Sequence, residues 1–139
     1  MMNGKRYAAL SLPCLAGLLL GACASTPGPA KEITSQRAND LIISLANETG
    51  GLIQGPNRFV ITFRSAATGQ PMDVGKVSVS STMPMPGMPM SAGIELSPAG
   101  ETGKYLAKGD FAMSGGWNFE VRWDGPAGAG MALLSTNVR

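Results

Sequence analysis

Four methionines stand within eight residues at positions 83–90, MPMPGMPM. Met83, Met85, Met88 and Met90 each supply a thioether. A thioether is a soft, neutral donor, so it favours Cu(I) over hard cations such as Mg²⁺. It needs no deprotonation and no free thiol. Pro86-Gly87 is a favoured central pair of a type II turn, because Pro presets φ and Gly accepts the positive φ that follows. A Met85–Met88 turn brings those two residues together, with Met83 and Met90 facing each other one step out. Period two also puts Met83 and Met85 on one side, and Met88 and Met90 likewise. One hairpin tip could thus aim four sulfurs at one point, with Met113 a further candidate ligand. Two other readings stand beside this one. Methionine fills irregular gaps, so the same residues can plug one end of a core. Pro84 and Pro89 lack an N–H, so the loop can protect a sheet edge or meet a partner as a surface.

Little other chemistry is available. The chain has no His. That removes Ser-His and Cys-His couples, an imidazole acid or base, and any Cys/His zinc spacing. There is no nucleophile elbow, P-loop or dinucleotide fingerprint. The carboxylates Asp73, Glu95, Glu101 and Asp110 are scattered and read as solvated faces. The sequence therefore points away from an enzyme.

The loop needs elements to hold it, and these begin after the first part of the chain. Lys5 and Arg6 precede a mostly apolar run from Tyr7 to Leu20, and Leu20-Gly21-Ala22-Cys23 follows. A positive start, a short apolar core and small residues at a cleavage point describe a secretory signal. The final tetrad resembles the lipobox of bacterial lipoproteins. On that reading residues 1–22 are a signal peptide and Cys23 is acylated. The expected location is extracytoplasmic and lipid-anchored. Ala24, where an Asp would mark the inner membrane, gives the periplasmic face of the outer membrane if the organism has one. The whole chain carries 11 Lys+Arg against 9 Asp+Glu; without Lys5 and Arg6 the basic count is 11 − 2 = 9, which leaves a neutral chain. Nothing then favours nucleic acid.

Residues 23–39 are small and polar with two prolines, and read as a flexible tether. From residue 40 to 139 the pattern is β. In RFVITFR, Phe59, Ile61 and Phe63 share a face. In KVSVS, Val77 and Val79 do so. In WNFEVRWD, Trp117, Phe119, Val121 and Trp123 alternate strictly with Asn118, Glu120, Arg122 and Asp124. That is the signature of a sheet with one wet side. Trp117 and Trp123 thus read as core. Gly- and Pro-containing breaks recur at short intervals, and no helical period stands out. The expectation is an all-β, immunoglobulin-like sandwich of about seven strands.

The order of landmarks is more specific. A strand, then ATGQPM, then VSVSS, then the methionine–proline loop, then GKYLAKGDFAMSGGWNFEV resembles the YtkA-like domain, related in style to FixH-type accessory proteins. The matching positions are Gly69, Pro71, Met83, Pro84, Met88, Gly103, Tyr105, Met113, Gly115 or Gly116, and Trp117. The resemblance implies a small extracytoplasmic β-sandwich. It also implies a link to copper handling and oxidase assembly, through an envelope protein partner. This chain departs from members that carry His after the methionine loop. Two functional readings follow: a Cu(I)-binding lipoprotein using Met83, Met85, Met88, Met90 and Met113, or a metal-free interaction module of the cell envelope.

Overall fold

The computed structural model of the chain describes residues 28–139. The segment expected to be a signal peptide, the expected acylation site Cys23 and the first part of the expected tether lie outside the described residues. Eight strands make up the domain: β1 (Lys31–Ala38), β2 (Leu41–Asn47), β3 (Gly55–Ser65), β4 (Lys76–Met83), β5 (Met90–Pro98), β6 (Lys104–Phe111), β7 (Gly115–Gly125) and β8 (Gly128–Val138). Their spatial order is β1-β2-β3-β6-β5-β4-β7-β8, and the strand ladders are antiparallel.

β5 turns the corner between two faces. Its residues from Ile94 to Pro98 pair with β6, and those from Met90 to Gly93 pair with β4. At the opposite seam Leu52 bridges Val138. There the Gln54 N–H donates to the Arg139 carbonyl at 2.7 Å, and the Arg139 N–H to the Leu52 carbonyl at 3.0 Å. The expected sandwich is thus observed, closed nearly into a barrel.

The additional strand is β1. Residues 31–38, read from composition as tether, pair with β2 from Lys31↔Asn47 to Ala38↔Leu41, with a bulge between Glu32 and Thr34. The domain boundary therefore moves from residue 40 to Lys31. The physical reason is that an edge strand is held mainly by its backbone ladder. Only Ile33 and Ala38 of KEITSQRA pack on the core, so the segment carries no alternating signature.

The core follows the period-two pattern. Leu41, Ile43 and Leu45 of β2, Phe59, Ile61 and Phe63 of β3, and Trp117, Phe119, Val121 and Trp123 of β7 are all buried. Full burial of such a side chain contributes about 1.5–3 kcal/mol. Edge-to-face aromatic contacts tie the two faces together: Phe59 to Phe119 at 5.8 Å and Phe63 to Trp123 at 5.7 Å between ring centroids.

The strands also divide the loops between two ends. At one end lie the β2–β3, β4–β5 and β6–β7 connections and the start of β1. At the other lie the β1–β2, β3–β4, β5–β6 and β7–β8 connections. The second end is locked internally. The Tyr105 hydroxyl donates to the Gly75 carbonyl at 2.9 Å. Gly103 has φ 68°, and a β-carbon there would stand 2.5 Å from the Met72 carbonyl oxygen and 2.8 Å from that of Phe63. The GKY landmark is thus a structural lock. Burial raises the Tyr105 pKa, with the Asp73 carboxylate adding to the shift.

The methionine hairpin as candidate functional site

β4 ends at Met83 and β5 begins at Met90, so residues 84–89 form the connection. Met83 and Met90 are direct cross-strand partners. Both are half-buried and pack against the core. Their direction follows from the strand pleat. Val77, Val79, Ser81 and Met83 of β4 point inward, as do Met90, Ala92, Ile94 and Leu96 of β5. Beneath the methionine pair sits Ser81, which is buried and donates its hydroxyl to the Ala92 carbonyl at 2.8 Å. That bond satisfies a polar group that would otherwise be costly inside the sheet corner.

Gly87 has φ 85°, as the Pro86-Gly87 turn requires. Among the described residues no backbone hydrogen bond closes this turn. Met88 stands out from the domain at 77% exposed, and Met85 is exposed to a lesser degree at 38%. Burial thus splits the four methionines into a seated pair, Met83 and Met90, and an exposed pair, Met85 and Met88. The strand stops at Met83 and Pro84 starts the turn, so strand alternation ends before Met85.

The β6–β7 connection completes the site. The Trp117 indole N–H donates to the Met113 carbonyl at 3.0 Å, while the Met113 side chain is 42% exposed. Trp117 itself is buried and meets Phe111 edge-on at 5.1 Å. The seat of Met83 is made by a missing side chain. A β-carbon on Gly115 would overlap the Met83 methyl. Gly115 has φ 135°, which favours glycine for a second reason. Sequence reasoning matched this glycine to a pattern without seeing its role. The signal available was its place between Met113 and Trp117. A cleft of about 230 Å³ runs from Pro84 past Trp117 to Thr136, alongside the hairpin.

The donor set here is purely thioether. Among the described residues no group of three or more His, Cys, Asp or Glu could hold a metal ion. A wider, open groove of about 600 Å³ lies on the outer face of β3, β6 and β5, lined by Arg58, Glu95, Lys108 and Asp110 among others. Its lining contains no methionine, hydroxyl or thiol. Among the described residues no helix is long and apolar enough to cross a membrane.

The fold and this hairpin define a class: a small all-β sandwich that presents a methionine–proline tip over a Gly-x-Trp floor. The YtkA-like family model matches residues 35–122, and the chain belongs to that family. The match takes in β2 to β6, the hairpin and most of β7. No curated protein matches the chain. Among solved structures, it is similar to a DUF4426 family protein from Pseudomonas aeruginosa, at 13% identity and a TM-score of 0.49, over 75% of this chain and 94% of that one.

Proposed function

We propose that this protein is a lipid-anchored extracytoplasmic carrier of Cu(I), not an enzyme, and that it hands the ion to an envelope partner in copper transfer or oxidase assembly. The observation that carries the reading is the cross-strand pair Met83 and Met90, seated half-buried beneath the exposed Met85 and Met88. The donor chemistry fits the ion, since soft thioethers select Cu(I). The exposed sulfurs of Met85 and Met88 are open to an incoming ion or partner. Met83 and Met90 offer the less hydrated position below. Neutral ligands without thiolate charge suit an ion that must be released again.

The test is competition for Cu(I) against a chromogenic chelator. The protein carries Cys14→Ser and Cys23→Ser, so that no thiol competes. It should withdraw Cu(I) from the chelator, and changing Met83, Met85, Met88 and Met90 together to Leu should abolish the withdrawal. Equal behaviour of the two proteins sinks the copper reading.

A second reading rests on a separate observation. Ile53, Met85, Met88 and Met113 are large, apolar and exposed. A metal-free interaction module would use such a surface directly. It predicts recovery of a specific envelope protein by the Cu(I)-free domain, lost on Met88→Ser.

A further inference from the structure

Six large apolar side chains are exposed among the described residues: Ile53, Met85, Met88, Met113, Met131 and Leu133. Four of them occupy the three loops of one end of the sandwich. Ile53 lies in the β2–β3 connection, Met85 and Met88 in β4–β5, and Met113 in β6–β7. The Gln54 side chain donates to the Ala112 carbonyl at 2.9 Å, which ties two of these loops together. The β4–β5 and β6–β7 connections with their flanks, residues 77–94 and 111–119, contain no charged residue, while the β2–β3 connection carries the exposed Glu48 and has the Arg139 guanidinium against the position of Gly51. The loops at the other end carry Asp40, Asp73 and Glu101, the last paired with Lys104 at 3.0 Å.

The chain enters the fold at the apolar end. Lys31, the first residue of β1, is the register partner of Asn47 at the end of β2, and Lys31 packs against the position of Gly50 in the β2–β3 connection. Cys23 precedes Lys31 by 31 − 23 = 8 residues. A chain extends at most about 3.6 Å per residue, so this spacer reaches at most about 29 Å. An eight-residue strand such as β1 is itself about 26 Å long. An anchor at Cys23 therefore keeps the apolar end within about 29 Å of the bilayer. The other end could reach it only with the spacer pulled nearly straight.

We propose that the loop tips bearing Ile53, Met85, Met88 and Met113 form a membrane-docking surface, and that its occupant is the headgroup–acyl boundary of the bilayer to which Cys23 is attached. The proposal rests on the lipid-anchor reading for its geometry and is separable from it by experiment. The β4–β5 and β6–β7 tips, which carry no charged residue, enter that boundary without desolvating an ion, and the short spacer raises their local concentration at the surface. A docked domain presents its methionines to the membrane plane, where an integral membrane partner would meet them.

The methionines are their own reporters, because a charged oxidant excluded from lipid converts a water-exposed thioether to the sulfoxide. Met131, 53% exposed on the outer face of β8, serves as the internal control. The full-length protein, processed in its host, is purified, its Cys23 acylation is read by mass spectrometry, and it is reconstituted in phosphatidylethanolamine–phosphatidylglycerol vesicles. Sulfoxide formation at Met88 and Met131 is followed by peptide mass with and without vesicles. The expected result is a roughly tenfold or greater slowing at Met88 with Met131 unchanged. An unchanged ratio of the two rates overturns the docking proposal. If Cys23 carries no acyl chain, the anchor reading fails by that mass alone. The Cys23 thiol is then coupled to a maleimide-headgroup lipid and the ratio measured again, with the same two outcomes deciding docking.

Discussion

The two ends of this sandwich are built on opposite principles. One end is locked. Its GKY landmark places Gly103 under two backbone carbonyls and sends the Tyr105 hydroxyl to a third. The other end is presented. Its loops rest on seated residues, Met83 against Gly115 and Trp117 on the Met113 carbonyl, and hold exposed side chains above them. The difference lies in what each glycine faces. Gly103 faces backbone oxygens that cannot yield. Gly115 faces the far end of a methionine side chain, which can change rotamer. Conformational adjustability is thus concentrated at the end that carries the candidate chemistry, and removed from the end that does not.

This contrast can be broken most forcefully at Gly103. Gly103→Ala forces a side chain into φ 68° and against the Met72 and Phe63 carbonyl oxygens. It should cost about 3 kcal/mol of stability in chemical denaturation. A loss below about 1 kcal/mol would show that the locked end also gives way.

A smaller effect belongs to Tyr105→Phe, which removes the hydrogen bond to Gly75 at a cost of about 1–2 kcal/mol. The pH dependence sharpens the point. The folded-state pKa of Tyr105 is raised, first by burial and then by Asp73. The folded protein therefore holds the phenol proton more tightly than the unfolded chain. The contribution is fully present below the ordinary tyrosine pKa of about 10 and is lost as pH rises through the higher folded value. Thermal stability of the wild type should fall in that alkaline window by more than that of the Phe variant. Parallel curves would remove Tyr105 from the lock.

Met88→Ser should be the mildest. Met88 is 77% exposed, so stability should stay within about 0.5 kcal/mol of wild type by calorimetry. A larger loss would mean that the tip is packed, and the contrast between the ends would weaken.

Much of the framework is legible in the sequence because it depends on alternation. Trp117, Phe119, Val121 and Trp123 read as one inward face and are one. The Pro86-Gly87 turn is legible because few residue pairs satisfy its φ values, and Gly87 has φ 85°. β1 is hidden, because a strand that buries only Ile33 and Ala38 has the composition of a linker. The sorting of the methionines is hidden too. MPMPGMPM is symmetric in type about its turn, and only the strand ends at Met83 and Met90 decide which pair is seated. Those ends are set by pairing with distant segments, β7 in particular, which local sequence does not encode. The gathering of Ile53, Met85, Met88 and Met113 at one end needs the topology as well as the residues.

The strand order also has a consequence for how the chain assembles. It divides into three locally connected pieces, β1–β2–β3, β4–β5–β6 and β7–β8, joined by the β3–β6 and β4–β7 pairings. Synthesis runs in chain order, so β3 is complete at Ser65 while its remaining partner starts only at Lys104. Over that interval one edge of β3 has open backbone donors and acceptors beside Phe59, Ile61 and Phe63. Such an edge is a template for pairing with any other nascent chain. The slowest joins in folding are the long-range ones, whose loop-closure entropy is spent before the contacts form. The methionine hairpin links two strands of the middle piece. It can form locally, yet its floor of Gly115 and Trp117 arrives only when β7 docks. Until then Met83 has no seat, and the site is among the last parts of the molecule to be completed.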